Sequence, residues 1–272
     1  MNERVKKAFV EFRILLFCLC IPVLLFAAEE PKISEAPKFV PGQEVRIDVN
    51  DKDMGGYYFL VYVPSDYTDE HDWPAIFFFN GAGLLPSTEL FKSITEGKGF
   101  IIIGMDYVKT GKGRVTEGQY INNLKRELKS IYKIQKRVSE YFRIDKKRLF
   151  LTGFSRGGWR TAALIEHSAK PWAGAAIIAA GRNQASLPPP ISGENLRGKP
   201  IYIGAGEEDE NMRAAKKARE FYRRRGADVT FEEYKGIGHM FKADSKILHN
   251  WLISNSAVEH TESARANKQK KG

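Results

Sequence analysis

The sequence predicts an α/β fold, a mostly parallel sheet with helices packed on its faces, and three observations predict it. Short continuous apolar runs recur at 75–79, 100–104, 149–151, 173–180, 200–203 and 229–234. Strands buried on both faces require such runs. Stretches of helical character separate most of them, at about 119–142, 158–167, 211–225 and 239–251. Alternation of the two implies crossover units and parallel pairing. Finally, 272 residues, 43% hydrophobic and 28% charged, suit one large globular domain and count against a disordered or fibrous chain.

Each element has its own warrant. Val45, Ile47 and Val49 alternate with polar residues, and 57–63 is an aromatic and β-branched run closed by Pro64. Both read as strands of an antiparallel start. Ile121, Leu124, Leu128, Ile131, Ile134, Val138 and Phe142 recur at three- and four-residue steps, the stripe of a helix that buries one face. No fixed-period repeat is visible.

The two ends read differently. Arg4, Lys6, Lys7 and Arg13 precede or open an apolar run over 14–26, followed by Ala27 and Ala28. The run is shorter than the ~20 residues of a bilayer-spanning helix, so residues 1–28 are expected to be a signal peptide rather than a retained anchor. Secretion or export to a periplasm follows, without stable membrane insertion after cleavage. Both cysteines, Cys18 and Cys20, lie in this segment. Its removal leaves no disulfide framework, cysteine nucleophile or cysteine metal site. Residues 29–44, with Pro31, Pro37 and Pro41, read as a linker. The domain is expected over 45–254, and 255–272 as a polar basic tail.

The formal net charge is +10. Its largest block, from Lys125 to Arg148, fills the polar face of the long helix and reads as a solvated surface. No nucleic-acid motif accompanies it.

The strongest chemical signal is Gly153-Phe154-Ser155-Arg156-Gly157-Gly158, which follows the apolar run 149–151 and opens a helical stretch. A serine on a sharp strand-to-helix turn projects its hydroxyl at the carboxyl end of the sheet, beside a helix N-terminus that favours developing negative charge. With the preceding Tyr141-Phe-Arg-Ile-Asp145-Lys-Lys-Arg148, the stretch resembles the α/β-hydrolase superfamily. It is most similar to the small secreted serine esterases of polyester-depolymerase and feruloyl-esterase type. The strand residues 57–61 and Tyr62-Val63-Pro64-Ser65-Asp66-Tyr67 are weakly similar to the family's early strands. The loose resemblance spans about 45–253.

The resemblance implies the order serine, acid, histidine. Strand 200–203 leads into Gly204-Ala-Gly206-Glu-Glu-Asp209-Glu-Asn211. Asp209 matches the family's spacing from Gly206, with Glu207, Glu208 and Glu210 as rivals. His239, in Gly236-Ile-Gly238-His239, stands after the last strand where the family carries its base. The expected catalytic triad is therefore Ser155, Asp209 and His239. The backbone N–H groups of Arg156 and Ala82 are the expected oxyanion donors. Relatives commonly have His-Gly where this chain has Asn80-Gly81, and an uncharged residue where it has Arg156, whose side chain is expected to pair with a neighbouring carboxylate, the alternative being that it faces an acidic substrate.

Other chemistries lack their motifs. Pro86 stands where a dinucleotide fingerprint beginning at Gly81 needs glycine. No phosphate-binding loop exists, and no metal-ligand spacing. Neither cofactor nor metal is expected. The predicted reaction is hydrolysis of a carboxylic ester through an acyl-enzyme. The connection 181–199, with Pro188, Pro189 and Pro190, is too short for a large cap, so an open site is expected. Such a site suits polymeric or carbohydrate-linked esters. Two alternatives stay open: a peptidase of the same fold, and a non-catalytic protein that retains the fold and binds anionic glycans or a membrane surface through its basic helix.

Overall fold

The computed structural model describes residues 39–49, 58–108, 116–182 and 196–257, all within one compact unit spanning Lys38–Gly272. The expected signal peptide, the first part of the expected linker and the tail beyond 257 lie outside the described residues, as does 183–195 of the connection expected to exclude a cap. Residues 39–43, at the end of the expected linker, are tied to the domain. Phe39 packs on Tyr141 and Phe142, with ring centroids 4.9 and 4.5 Å apart. The Gly42 N–H donates to Val63 O.

In chain order the elements are β1 (Glu44–Asp48), β2 (Tyr58–Tyr62), β3 (Trp73–Phe79), α1 (Glu89–Ile94), β4 (Ile101–Met105), α2 (Glu117–Ser139), β5 (Ile144–Phe154), α3 (Arg156–His167), β6 (Gly174–Ile178), β7 (Pro200–Gly206), α4 (Met212–Arg224), β8 (Asp228–Tyr234) and α5 (Lys246–Ser256). The strands form one sheet in the order β1-β2-β4-β3-β5-β6-β7-β8. β1 and β2 pair antiparallel with their neighbours. All pairs from β4 to β8 are parallel. This is the mostly parallel sheet with flanking helices expected from the sequence.

Strand periodicity builds two cores, because successive side chains point to opposite faces. Phe77, Phe79, Leu149, Leu151, Ile177 and Ile203 face one way, against Leu124, Ile131 and Val138 of α2, Ala162 and Ala163 of α3, and Ala215, Ala218 and Tyr222 of α4. Ile76, Phe78, Phe150, Ile178 and Tyr202 face the other, against Phe91 and Ile94 of α1 and Leu248, Trp251 and Leu252 of α5. A Thr116–Gln119 capping box starts α2.

The structure departs from the sequence reading at three elements. β5 extends beyond the apolar run to Ile144, because Arg148 satisfies its polar start: its Nε donates to Asp145 Oδ2 at 2.7 Å and its Nη1 to Ser256 O at 3.2 Å. The six-residue α1 is too short to show a clear helical period. The last helix begins at Lys246 and not near 239, because the Ser245 side chain caps it, accepting the Leu248 N–H at 3.0 Å. Residues 239–245 are thereby left as a loop.

Trp251 seals the α5 face, packing on Phe150 and Tyr202 at centroid distances of 5.7 and 6.0 Å. A Cβ on Gly174 would lie 3.0 Å from its ring. Trp251→Ala should cost ~3–5 kcal/mol in urea unfolding, the range for a buried large aromatic.

Candidate active site

Ser155 is the single residue between β5 and α3. Its backbone has φ 53° and ψ −118°, a conformation that costs a non-glycine residue about 1–3 kcal/mol. Its surroundings hold it there. The Ser155 N–H donates to Ile178 O of β6 at 2.8 Å, and Ser155 O accepts the Trp159 N–H at 3.1 Å. A Cβ on Gly153 would lie 2.2 Å from the Gly157 carbonyl, and one on Gly157 would lie 2.0 Å from Phe79 O. One on Gly158 would lie 2.7 Å from Ala180 Cβ. The three glycines thus let the start of α3 rest directly on the ends of β3, β5 and β6.

Two loops deliver the other groups. Residues 207–211 leave β7, and 235–245 leave β8. The Glu207 and Glu208 N–H groups donate to Tyr234 O and Ile237 O at 2.9 and 3.0 Å. Gly206 approaches so closely that a Cβ there would lie 2.1 Å from Ile237 O and Gly238 O. So joined, the loops place His239 Nε2 2.8 Å from Ser155 Oγ and His239 Nδ1 3.0 Å from each carboxylate oxygen of Asp209.

The Asp209 side chain is 0% exposed and the imidazole 36%. Asp209 Oδ1 also accepts the Asn211 N–H at 2.7 Å. A carboxylate against Nδ1 fixes the proton on that nitrogen, leaving the Nε2 lone pair for the serine hydroxyl. The Asn211 amide lies farther from Nδ1, at 3.4 Å, and donates to Ala179 O. Of the four neighbouring carboxylates, Asp209 is the one at His239. Lys235 Nζ (3.0 Å) and the Gly236 N–H (3.1 Å) take Glu207 and hold its carboxyl below the usual range. Glu208 and Glu210 are exposed.

The sequence reading missed a buried polar anchor under this loop. Glu232 accepts from the Tyr202 and Ser245 hydroxyls and from Lys242 Nζ at 3.3 Å. Tyr202 and Tyr234 meet at 3.0 Å. The anchor fixes Ser245, the far end of the His239 loop. Its signal was the inward period of Glu232 and Tyr234 in β8, where a carboxylate on a core-facing position calls for partners.

The loop after β3 is organised by Asn80. Its Oδ1 accepts the Gly81 N–H and its Nδ2 donates to Leu85 O, both at 2.9 Å. Tyr107, stacked on Phe79 at 5.3 Å, donates its hydroxyl to Asn80 O. The Ala82 and Arg156 N–H groups have no hydrogen-bond partner among the described residues. Asn80 therefore closes the loop through its own side chain.

The Arg156 side chain departs from expectation. It is exposed, with its guanidinium over the Tyr107 ring, 4.6 Å from the centroid, and no ion pair forms among the described residues. The nearby buried carboxylate, Glu127, accepts the Val108 N–H at 2.9 Å through Oε1 and forms an ion pair with Arg160 at 3.5 Å, with no hydrogen bond to Oε2 among the described residues. Of the other histidines, His249 packs between α5 and α1 with Nδ1 2.7 Å from Ile94 O. His71 lies against Trp73. Among the described residues no cluster of three or more His, Cys, Asp or Glu is arranged to hold a metal ion.

Gly157→Ala would drive a methyl into the β3 carbonyl. It should lower stability by ~3 kcal/mol or more, read as a drop in the urea midpoint against the parent.

Comparison with known proteins agrees with this architecture. No curated protein matches the chain. Among solved structures, an S-formylglutathione hydrolase from Agrobacterium tumefaciens superposes with a TM-score of 0.58 at 13% identity, over 80% of this chain and 96% of that one. A ferulic acid esterase from Anaeromyces mucronatus, in complex with ferulic acid, gives 0.57 at 14% identity, over 82% and 93%. A thermostable esterase gives 0.52 at 17% identity over 83% of this chain, which spans 62% of that longer protein. At such identities the likeness is one of fold. The model of the dienelactone hydrolase family matches residues 106–271, more than half of the chain and the part that carries Ser155, Asp209 and His239. The chain belongs to the dienelactone hydrolase family, and it is a hydrolase of the α/β-hydrolase fold.

Proposed function

We propose that this hydrolase cleaves carboxylic esters with Ser155 as nucleophile, His239 as general base and acid, and Asp209 as the group that orients His239. The single observation that carries the reading is the continuous line of contacts from Asp209 through His239 to Ser155 Oγ. His239 Nε2 takes the serine proton as Oγ attacks the ester carbonyl. The Asp209 carboxylate stabilises the imidazolium that forms. The imidazolium then gives its proton to the departing alcohol, leaving an acyl-enzyme. Water, deprotonated by the same nitrogen, releases the acid.

The Arg156 and Ala82 N–H groups are the proposed oxyanion donors. Their lack of hydrogen-bond partners among the described residues supports this, as does the contact of Gly157 with Phe79 and Asn80, which sets the loop after β3 beside the start of α3. Such donors are worth about 10²–10³ in kcat each.

The surroundings support a substrate with a bulky apolar part. Phe154 lies 5.5 Å from the His239 ring, centroid to centroid. Leu84, Leu85 and Met240 are 54%, 72% and 64% exposed, in the loop after β3 and directly after His239. The proposal includes export through residues 1–28 and action on polymeric or carbohydrate-linked esters.

Two substitutions test the mechanism with chromogenic esters from acetyl to octanoyl. Ser155→Ala should lower kcat by ~10⁴-fold or more, and Asp209→Asn by ~10³–10⁴-fold, with little change in KM. A Ser155→Ala protein as active as the parent would exclude Ser155 as the nucleophile.

A further inference from the structure

A cavity of about 740 Å³ runs along α4, lined among the described residues by Arg182, Met212, Arg213, Lys217, Phe221 and Arg224, with further α4 residues between them. It contains none of Ser155, Asp209 and His239, and its lining on α4 starts at Met212, one residue after the loop that carries Asp209. Met212 follows Asn211, whose amide lies 3.4 Å from His239 Nδ1. A Cβ on Gly181 would lie 2.8 Å from Ala214, so the exit of β6 is pressed against the first turn of α4. At 1.5 Å per residue, the 13-residue helix carries the groove about 20 Å away from the site.

The lining is strongly cationic. α4 buries Met212, Ala215, Ala218 and Tyr222 and turns outward a row at 213, 217, 220 and 224, three of them basic. Lys216 and Arg219 are paired with Glu233 and Glu220. Arg213, Lys217 and Arg224, all exposed, have no acidic partner among the described residues. Across the groove, Arg182 is held rigid. It makes two bonds to the fully buried Glu166, at 3.0 and 2.7 Å, and its guanidinium covers the Phe221 ring at 3.5 Å. A concave run of uncompensated cations, fixed along one edge, concentrates a chain of spaced anions.

We propose that this groove binds an acidic polysaccharide, a polymer bearing regularly spaced carboxylates, whose ester substituent is presented to Ser155. The inference rests on the esterase reading above. That reading selects the ligand: the groove adjoins the proposed ester-cleaving centre, so its occupant carries both esters and negative charge. A nucleic acid offers no carboxylic ester, and the groove offers bases no free aromatic platform, since Arg182 covers Phe221.

The test measures binding without turnover, so it is independent of the proposed chemistry. Full-length Ser155→Ala protein is titrated calorimetrically with polygalacturonate at low salt, beside neutral dextran and a single-stranded oligonucleotide. The titration is repeated after Arg213→Gln, Lys217→Gln and Arg224→Gln together. A control loses the same charge elsewhere, through Lys125→Gln, Lys136→Gln and Lys146→Gln. Thermal melting verifies that all are folded. Polygalacturonate should bind with salt-sensitive affinity, dextran should not, the α4 changes should weaken binding at least ~10-fold, and the control should change it less than ~2-fold. No binding, equal losses in both sets, an unaffected α4 variant, or tighter binding of the oligonucleotide would each overturn the proposal.

Discussion

The backbone of Ser155 is the constraint on which the site depends. A residue with a Cβ is held at positive φ between a strand and a helix with no linker. That is tolerable only because contacts on every side fix it. β6 takes its N–H, and Gly153, Gly157 and Gly158 bring α3 into backbone contact with β3, β5 and β6. The local cost of about 1–3 kcal/mol is borne by the parallel sheet, whose strand ends supply those contacts. The result is a hydroxyl at the carboxyl end of the central strands, over a helix N-terminus, in a position that side-chain rotation alone would not hold.

The acid and the base are positioned by a different device. Asp209 and His239 stand 30 residues apart, on loops from adjacent strands. Main-chain bonds from 207–208 to 234 and 237 make one unit of the two loops. The buried Glu232 cluster then secures the far end at Ser245. The oxyanion side has its own brace, made by Asn80 and Tyr107. All three supports bury polar groups, and burial raises the Tyr202 and Tyr234 hydroxyls well above the usual tyrosine range. These phenols therefore stay neutral.

Much of this was legible in the sequence, for physical reasons. Fully buried parallel strands show as apolar runs, so β3, β4, β6 and β7 were found within a few residues. Gly153, Gly157 and Gly158 marked a turn where Cβ atoms cannot fit. Other features depend on partners distant in the chain. Four carboxylates at 207–210 are alike until the backbone turns one of them toward β8, and that turn depends on Gly206 meeting 237–238. Arg156 was expected to find a carboxylate, but Glu127 was already held by Arg160 from the next turn of α3. The start of α5 was misplaced because an apolar Met240-Phe241 pair continues the helical period, while the Ser245 cap shows its role only once Leu248 lies over it.

The most direct measurement is the site of covalent capture. Protein treated with a fluorophosphonate should gain one adduct mass, and peptide mapping should place it on Ser155, because this probe traps a serine activated by a hydrogen-bonded base. His239→Ala, which removes the acceptor 2.8 Å from Oγ, should lose the adduct. An adduct on another residue, or none on a folded protein, would contradict the account.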